Sequence, residues 1–375
     1  MTTRRVPSLL VVGVLLLAAA PLAPTSAATC DGAWRVQTGP SKGQTLNGVD
    51  ASAVDQAWAV GSIPGIGASR TWAQRWNGTD WSAVAVPYQG SEDNALNDVT
   101  VLAPDDAWAV GWWHDPGDGS TPARDRALIE HWNGRAWSIV RAPRVAGNHR
   151  LAAVDAVSPD DVWAVGGRGG TILIEHWNGR DWSVVPVEDP GPSFDRLFGV
   201  AARDAGDAWA VGTTNGGRET LTMRWDGVAW TRVSSSDSDT NTNHLFDVAN
   251  MANGMSMAVG SASAIDTPLH TVSERWEGTS WNVQWTPNPG TQRNSFQGIA
   301  RIPATGGAWA VGYSEYLNGT SRPLIARKSA GWKLAVAPAV ASPAALADVT
   351  AVEGTAWAVG TSAGAPLILT ECSSA

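Results

Sequence analysis

The chain has 375 residues, 43% hydrophobic and 16% charged, a composition that excludes disorder as its main state. Acidic residues outnumber basic ones, 35 against 26, for a net charge of −9, and this acidic balance argues against nucleic acid, whose binding needs clustered cations. Tryptophan occurs 22 times against 3 Tyr and 4 Phe, beside 40 Gly and 22 Pro, so large aromatic anchors combine with many tight turns, the mix of an all-β repeat protein.

Arg4 and Arg5 precede an apolar run from Leu9 to Ala20, then a Pro-containing stretch and the small run Thr25-Ser26-Ala27-Ala28. This is the pattern of a secretory signal peptide over residues 1–28, cleaved after Ala27 or Ala28. Its core is too short to span a bilayer and no other long apolar run follows, so residues 29–375 are expected to be exported, soluble, free of a membrane span and monomeric. The Arg pair also raises a twin-arginine route, although the Phe-Leu-Lys part of that pattern is missing. Lipid anchoring at Cys30 is the alternative; Thr29 stands where Gly, Ala or Ser is wanted, and no Leu lies three residues before the Cys.

The rest of the chain repeats. AWAVG begins at Ala57, Ala107, Ala208, Ala308 and Ala356, with the variants Val162-Trp163-Ala164-Val165-Gly166 and Ser256-Met257-Ala258-Val259-Gly260, seven copies about 50 residues apart. An L-x-x-V tetrapeptide precedes six copies, from Leu46-Asn47-Gly48-Val49 to Leu346-Ala347-Asp348-Val349, and its variant Phe296-Gln297-Gly298-Ile299 precedes the sixth AWAVG in chain order. W-N-G-x-x-W follows, as at Trp76 to Trp81, Trp132 to Trp137 and Trp177 to Trp182. Every unit thus reads as four short strands: A (L-x-x-V-x-A), B (AWAVG), C (such as Ile172 to Trp177) and D (such as Trp182 to Val185). Turns such as Pro104-Asp105-Asp106 and Pro159-Asp160-Asp161 join A to B, and Asn-Gly, Asp-Gly or Glu-Gly turns join C to D, where Gly supplies the positive φ of a tight hairpin. Strand B is apolar on consecutive residues, the pattern of a strand buried on both faces. The fold class predicted is all-β: a seven-bladed β-propeller with four antiparallel strands per blade.

Seven strand-B copies accompany only six complete C–D hairpins. After the last AWAVG comes a strand C, Pro366 to Cys372, and the mature chain opens on Cys30-Asp31-Gly32-Ala33-Trp34-Arg35-Val36, which matches a C–D turn and a strand D. Blade 7 is therefore expected to combine about 30–38 with 344–372, the N-terminal outer strand closing the ring on the C-terminal strands. Cys30 and Cys372, the only cysteines, both align with the Trp beside the C–D turn. A disulfide between them would replace the missing covalent turn; two unrelated thiols are the other reading.

Over about residues 30 to 375 the chain resembles secreted bacterial β-propellers with D-x-W-A-V-G and W-N-G-x-x-W repeats, loosely allied to kelch, galactose-oxidase-like and Asp-box (BNR) propellers. The resemblance implies architecture. The Gly-x-x-Trp part of an Asp box is present at Gly78/Trp81, Gly134/Trp137 and Gly179/Trp182, but Trp76, Trp132 and Trp177 stand where its Asp belongs. The double glycine of kelch repeats occurs once after strand B, at Gly166-Gly167. With Tyr88, Tyr313 and Tyr316 as the only tyrosines and no Cys left over, no copper-radical site maps onto the chain, and no sialidase-type set can be assigned by motif. Neither a cofactor nor a catalytic residue is expected.

Residues repeated in every blade are read as architecture, so recognition is sought where blades differ. Strand C ends in Arg75, His131, His176, Arg224, Arg275 or Arg327 in six blades, expected to make inter-blade hydrogen bonds or ion pairs. Asp55, Asp105, Asp161 and Asp207 are expected to bond backbone amides at the A–B turns, and no metal site is assigned to either set. The A–B and C–D connections share one face and are short, while the B–C and D–A connections share the other and differ in every blade, which marks the second as the binding face. There blade 2 carries Trp112, Trp113, His114 and Asp115, and blade 6 carries Tyr313 and Tyr316, aromatics that suit stacking on a sugar or packing against the next blade. Arg70, Arg124, Arg168, Arg218 and Arg322 recur in five of these loops, either as a cationic rim for an anionic polymer or glycan or as partners of nearby Asp residues. The tract from Ser234 to Asn243 reads as a mobile loop.

Two functions follow. The favoured one is an exported, non-enzymatic propeller that binds a glycan, cell-envelope polymer or protein through the B–C/D–A face. The alternative is an extracellular glycoside hydrolase or lyase with carboxylates such as Asp115, Asp118 or Glu315 at the channel mouth, where paired carboxylates need a separation of roughly 5–9.5 Å.

Overall fold

In the computed structural model, which describes residues 1, 32–188, 194–239 and 241–372, each repeat folds into one antiparallel sheet whose strands follow sequence order A to D in blades 1 to 6. The leader, its cleavage site and Cys30 lie outside the described residues. Blade 7 takes its outer strand from the other end of the chain: Trp34–Val36 pairs with Ala365–Cys372, with Trp34 opposite Glu371 and Val36 opposite Leu369. Hydrogen bonding between the first and last strands thus closes the ring. The register places Cys372 one residue beyond the Trp position with which it had been aligned, because Glu371 faces Trp34 as Trp76 faces Trp81. No helix among the described residues is long and apolar enough to cross a membrane.

Strand B is buried because it lies between neighbouring sheets. The tryptophan pair of each C–D hairpin does pack across its own turn, Trp76 and Trp81 at 5.9 Å for example. The closer contacts run between blades: Trp58 enters the notch between Trp132 and Trp137 of the next blade at 4.9 and 5.0 Å, and Trp209 that between Trp276 and Trp281 at 4.8 and 4.9 Å. Each such pair adds about 0.5–1.5 kcal/mol beyond the area it buries. Blade 5 offers Met257 instead, which packs in one cluster with Trp332, and at the seam Trp34 stands edge-on to Trp309 at 5.2 Å.

Every strand A carries a bulge after its Leu or Phe, so that its pairing with strand B skips one residue, as between Leu46 and Gly48 or Leu197 and Gly199. The bulge presses the carbonyl of the preceding residue against strand B. A Cβ on Gly61, Gly212 or Gly312 would lie 1.9–2.0 Å from that oxygen, so the terminal Gly of AWAVG answers a close approach rather than a special dihedral angle. The skipped residue is the variable one in L-x-x-V, and in all seven blades it lines the axial channel, from Asn47 and Asn97 through Phe198 to Ala347.

Three local expectations need correction. The basic residue ending strand C pairs mainly within its own blade: His131 with Asp106 at 2.8 Å, His176 with Asp161 at 2.7 Å and Arg224 with Asp207 at 3.1 Å. Asp161 and Asp207 therefore bind side chains rather than turn amides, and in blade 2 the acid is Asp106, not Asp105. Arg75 does reach the next blade, at the Pro104 carbonyl (3.1 Å). The described part of the Ser234–Asn243 tract is anchored rather than loose: Asp237 accepts the Thr220 amide at 2.7 Å, and Asn243 is buried in strand A of blade 5, donating to the Arg218 and Asp239 carbonyls.

Candidate ligand-binding cleft

The first strands stand side by side around an axial channel of about 410 Å3. Five aspartates on these strands staple blade to blade. Asp348 accepts the Val49 amide at 2.8 Å, Asp50 that of Val101 at 2.7 Å, Asp98 that of Val154 at 2.9 Å, and Asp155 and Asp247 those of Ala202 and Ile299 at 2.8 Å. In three junctions a glycine makes room: a Cβ on Gly48, Gly199 or Gly298 would lie 2.7–2.8 Å from the Cα of Asp98, Asp247 or Asp348. The carboxyls touch the channel lumen but are otherwise enclosed by protein. Burial pushes Asp50 up to about 6, Asp155 to about 7 and Asp247 to about 8, and burial with mutual repulsion pushes Asp98 and Asp348 well above the usual range. Among the described residues no group of three or more His, Cys, Asp or Glu is arranged to hold a metal ion.

At its B–C/D–A end the channel opens past Asn97, Ala152 and Phe198 into a cleft of about 870 Å3 over blades 2 to 5. Strand register builds its walls. The residue preceding the buried Leu or Phe of strand A pairs with the end of strand B, and only in blades 3, 4 and 5 is it basic or an imidazole: Arg150, Arg196 and His244. The Arg150 guanidinium carbon lies over the Trp112 ring, 3.7 Å from its centre, and the group grips one oxygen of Asp125 through Nε and Nη2 at 2.8 and 2.6 Å, while His114 Nδ1 is 2.9 Å from the other. Burial opposes ionisation of Asp125, but the bonds from His114 and Arg150 outweigh it and hold the carboxyl below its ordinary range. Arg150 is thereby fixed in place.

Gly167 occupies in blade 3 the position that Trp112 holds in blade 2. A Cβ there would lie 3.4 Å from Cγ and Nε of Arg196, so the bare backbone lets Arg196 rest across it. Arg168 and Arg196 are exposed, and neither has an ion-pair partner among the described residues. Below them Asp195, 2% exposed, accepts the Thr214 hydroxyl at 2.6 Å through one oxygen, while the other has no partner. His149 Nδ1 donates to the Gly147 carbonyl; His244 stacks on Phe246 at an interplanar angle of 11°, its Nδ1 unpartnered. Burial pulls both imidazoles below the usual histidine value, so both are neutral at pH 7.

Of the residues singled out in the sequence, Trp112 and Arg168 line this cleft. His114 stands behind it through Asp125. Trp113 points the other way, as consecutive strand residues do, with its ring near Gly90 and the Arg126 guanidinium 5.8 Å from the ring centre. Asp115 is held by Arg126 at 2.6 Å and faces Arg124 in the strand register, away from the cleft lining. Tyr313, Tyr316 and Arg322 belong to blade 6, where Arg322 packs over Tyr316 at 5.2 Å. Arg218 follows the turn Asn215–Gly217, and Arg70 stacks on Tyr88 at 4.4 Å. The five loop arginines are therefore dispersed, and none pairs with a carboxylate among the described residues.

The carboxylates considered for catalysis do not converge either. The Gly117 amide and Arg126 hold Asp115 below the usual range, and the Ser120 hydroxyl with Thr121 does the same for Asp118; both suit turn-forming acceptors better than general acids. Glu315 lies on blade 6. Arg150, Arg196, His149, Asp195 and His244 had not been singled out. Their signal was in the sequence at the positions flanking the Leu of each L-x-x-V, the variable places in an otherwise repeated motif.

No protein-family model matches the chain, and no curated protein resembles it in sequence. Solved structures share its shape. A catalytically inactive virginiamycin B lyase from Staphylococcus aureus with quinupristin superposes with a TM-score of 0.60 at 11% identity, over 90% of this chain and 98% of that one. YCF48 bound to D1 peptide gives 0.56 at 12% identity, over 91% and 97%. An ulvan lyase, a polysaccharide lyase bound to a GlcA–Rha3S unit, gives 0.53 at 9% identity, over 88% and 95%. At such identities the likeness establishes the propeller fold alone.

Proposed function

We propose that the protein is an exported, monomeric, non-enzymatic propeller that binds a glycan, cell-envelope polymer or protein ligand in the cleft over blades 2 to 5. The observation that carries this reading is the fixed Trp112–Arg150–Asp125 arrangement in one cleft with Arg168 and Arg196, which have no ion-pair partner among the described residues, an organised polar and aromatic wall at the mouth of the channel. Propellers of this shape hold a peptide in YCF48 and a sugar chain in the ulvan lyase, so the architecture suits either class of ligand. A hydrolase using Asp115, Asp118 or Glu315 draws no support from their positions.

A glycan array and pull-down from cell-envelope material is expected to capture a ligand with the wild-type chain. Trp112→Ala and Arg150→Ala, each removing one half of the stacked pair, are expected to weaken capture about 10-fold or more. Capture unchanged in both variants would locate binding elsewhere.

Export rests on the leader of residues 1–28. We propose further that Cys30 and Cys372 form a disulfide across the seam. Support comes from the pairing of Trp34 with Glu371, which brings the two chain ends together, and from the absence of a free cysteine among the described residues. Alkylation of the secreted protein is expected to add no mass without reductant and two adducts with it; two adducts without reductant would refute the bridge.

A further inference from the structure

We infer that the cleft takes an acidic polysaccharide, a chain containing uronate sugars, whose carboxylates meet Arg168 and Arg196 and whose hydroxyls donate to Asp195. This rests on the binding reading above and names the chemistry of its ligand. In a chain of net charge −9, two exposed arginines that line one cleft and have no carboxylate partner among the described residues stand out against the general field. Each guanidinium presents a planar fork of N–H donors that matches a carboxylate and lacks any acceptor.

The kelch-like double glycine, which the architecture of the other blades does without, finds its use here. Gly167 shows no positive φ; a Cβ at its position would come into contact with Arg196 at 3.4 Å, and a larger side chain would take the space in which that arginine lies. The absence of a larger side chain leaves that space to the arginine.

In the same lining one oxygen of Asp195 has no partner among the described residues and calls for a donor, because a buried acceptor without a partner is costly. The ligand must therefore bring acceptors to the arginines and donors to the aspartate within one short span. A uronate does both through its carboxylate and ring hydroxyls, whereas a run of Asp or Glu side chains in a peptide brings carboxylates without hydroxyls. Phe194, 74% exposed at the rim beside Gly170, offers a ring face to the C–H face of a sugar. One face of Trp112 is already covered by Arg150, so Trp112 serves to position that guanidinium.

The test is calorimetric titration of the mature full-length protein with oligomers of galacturonate, mannuronate and glucuronate, with methyl-esterified galacturonate oligomers, and with polyglutamate. At least one uronate oligomer is expected to bind, more weakly as salt rises. If galacturonate is among the binders, its methyl ester is expected to bind about 10-fold or more weakly, having lost the charge-assisted bonds. Arg168→Ala combined with Arg196→Ala is expected to weaken binding by the same factor. Gly167→Leu, which keeps both arginines and fills the space under Arg196, should do likewise, with thermal midpoints near wild type showing that both variants fold. Equal binding of galacturonate and its ester, equal binding of polyglutamate, or full affinity in the double variant would overturn the inference and leave the binding reading standing. A blank for every uronate while a neutral glycan or protein is captured in the pull-down would do the same. A blank in both experiments would overturn both.

Discussion

Replacing Trp34 with alanine is expected to destabilise the folded ring by about 3–5 kcal/mol, the cost of removing a large aromatic side chain from a packed site. The outer strand of blade 7 has three residues, and of these Trp34 is buried while Arg35 and Val36 are exposed. Its ring meets Trp309 edge-on and packs in one cluster with Ile325, Leu346, Val349 and Leu367, so it is the principal apolar anchor of the N-terminal strand to blades 6 and 7. Denaturant unfolding of the reduced protein measures the effect without help from a disulfide. Trp81→Ala is the control: it removes the equivalent ring from blade 1, whose outer strand stays joined to strand C by the chain. The expected difference is selective proteolysis of the N-terminus in the Trp34 variant alone. An unfolding midpoint equal to wild type would show that the seam is not held by this contact.

The protein is expected to melt at a lower temperature as pH rises from about 4.5 to about 8.5. The five channel aspartates have folded values above the roughly 3.9 of an unfolded Asp, with Asp50 at about 6, Asp155 at about 7 and Asp247 at about 8. Burial also pushes Glu175 and Glu274 up to about 8 and Glu130 well up, all three on strand C. The folded state therefore keeps protons that the unfolded chain has released. The stability these groups contribute is complete below about pH 4 and is lost as pH climbs through about 6 to 8.

Each pKa unit corresponds to about 1.4 kcal/mol, and access of the lumen to water reduces the sum, so a loss of several kcal/mol is expected across this range. Asp155→Ala and Asp247→Ala should flatten the slope while each removes one inter-blade hydrogen bond. At the acid end, Asp93, Asp115, Asp125 and Asp226 have values lowered by their hydrogen bonds and lose their small contributions below about pH 4. A melting temperature that stays level or rises between pH 5 and pH 8 would contradict this account of the channel.

The blade count, the strand order and the sharing of blade 7 between the two termini were legible in the sequence, because period, turn residues and consecutive burial are local properties of the chain. The glycine ending AWAVG was visible seven times, but its reason was not: it answers a carbonyl pushed forward by a bulge in the neighbouring strand. The inter-blade tryptophan notch was likewise hidden, since Trp58 and its partners Trp132 and Trp137 lie in different repeats.

The site divides in the same way. Choosing the face with variable loops needed only the alternation of connections in a four-stranded meander, and the cleft does open there. Of the residues picked by loop position, Trp112 and Arg168 line that cleft, whereas Tyr313, Tyr316 and Arg322 lie on blade 6. Arg150, Arg196 and His244 are separated by dozens of residues, and only the closed ring sets their strands side by side. Local patterning thus determined the blades, their number and the seam. Convergence on a cleft was decided by tertiary structure, because it depends on which equivalent positions the curvature of the ring turns toward one another.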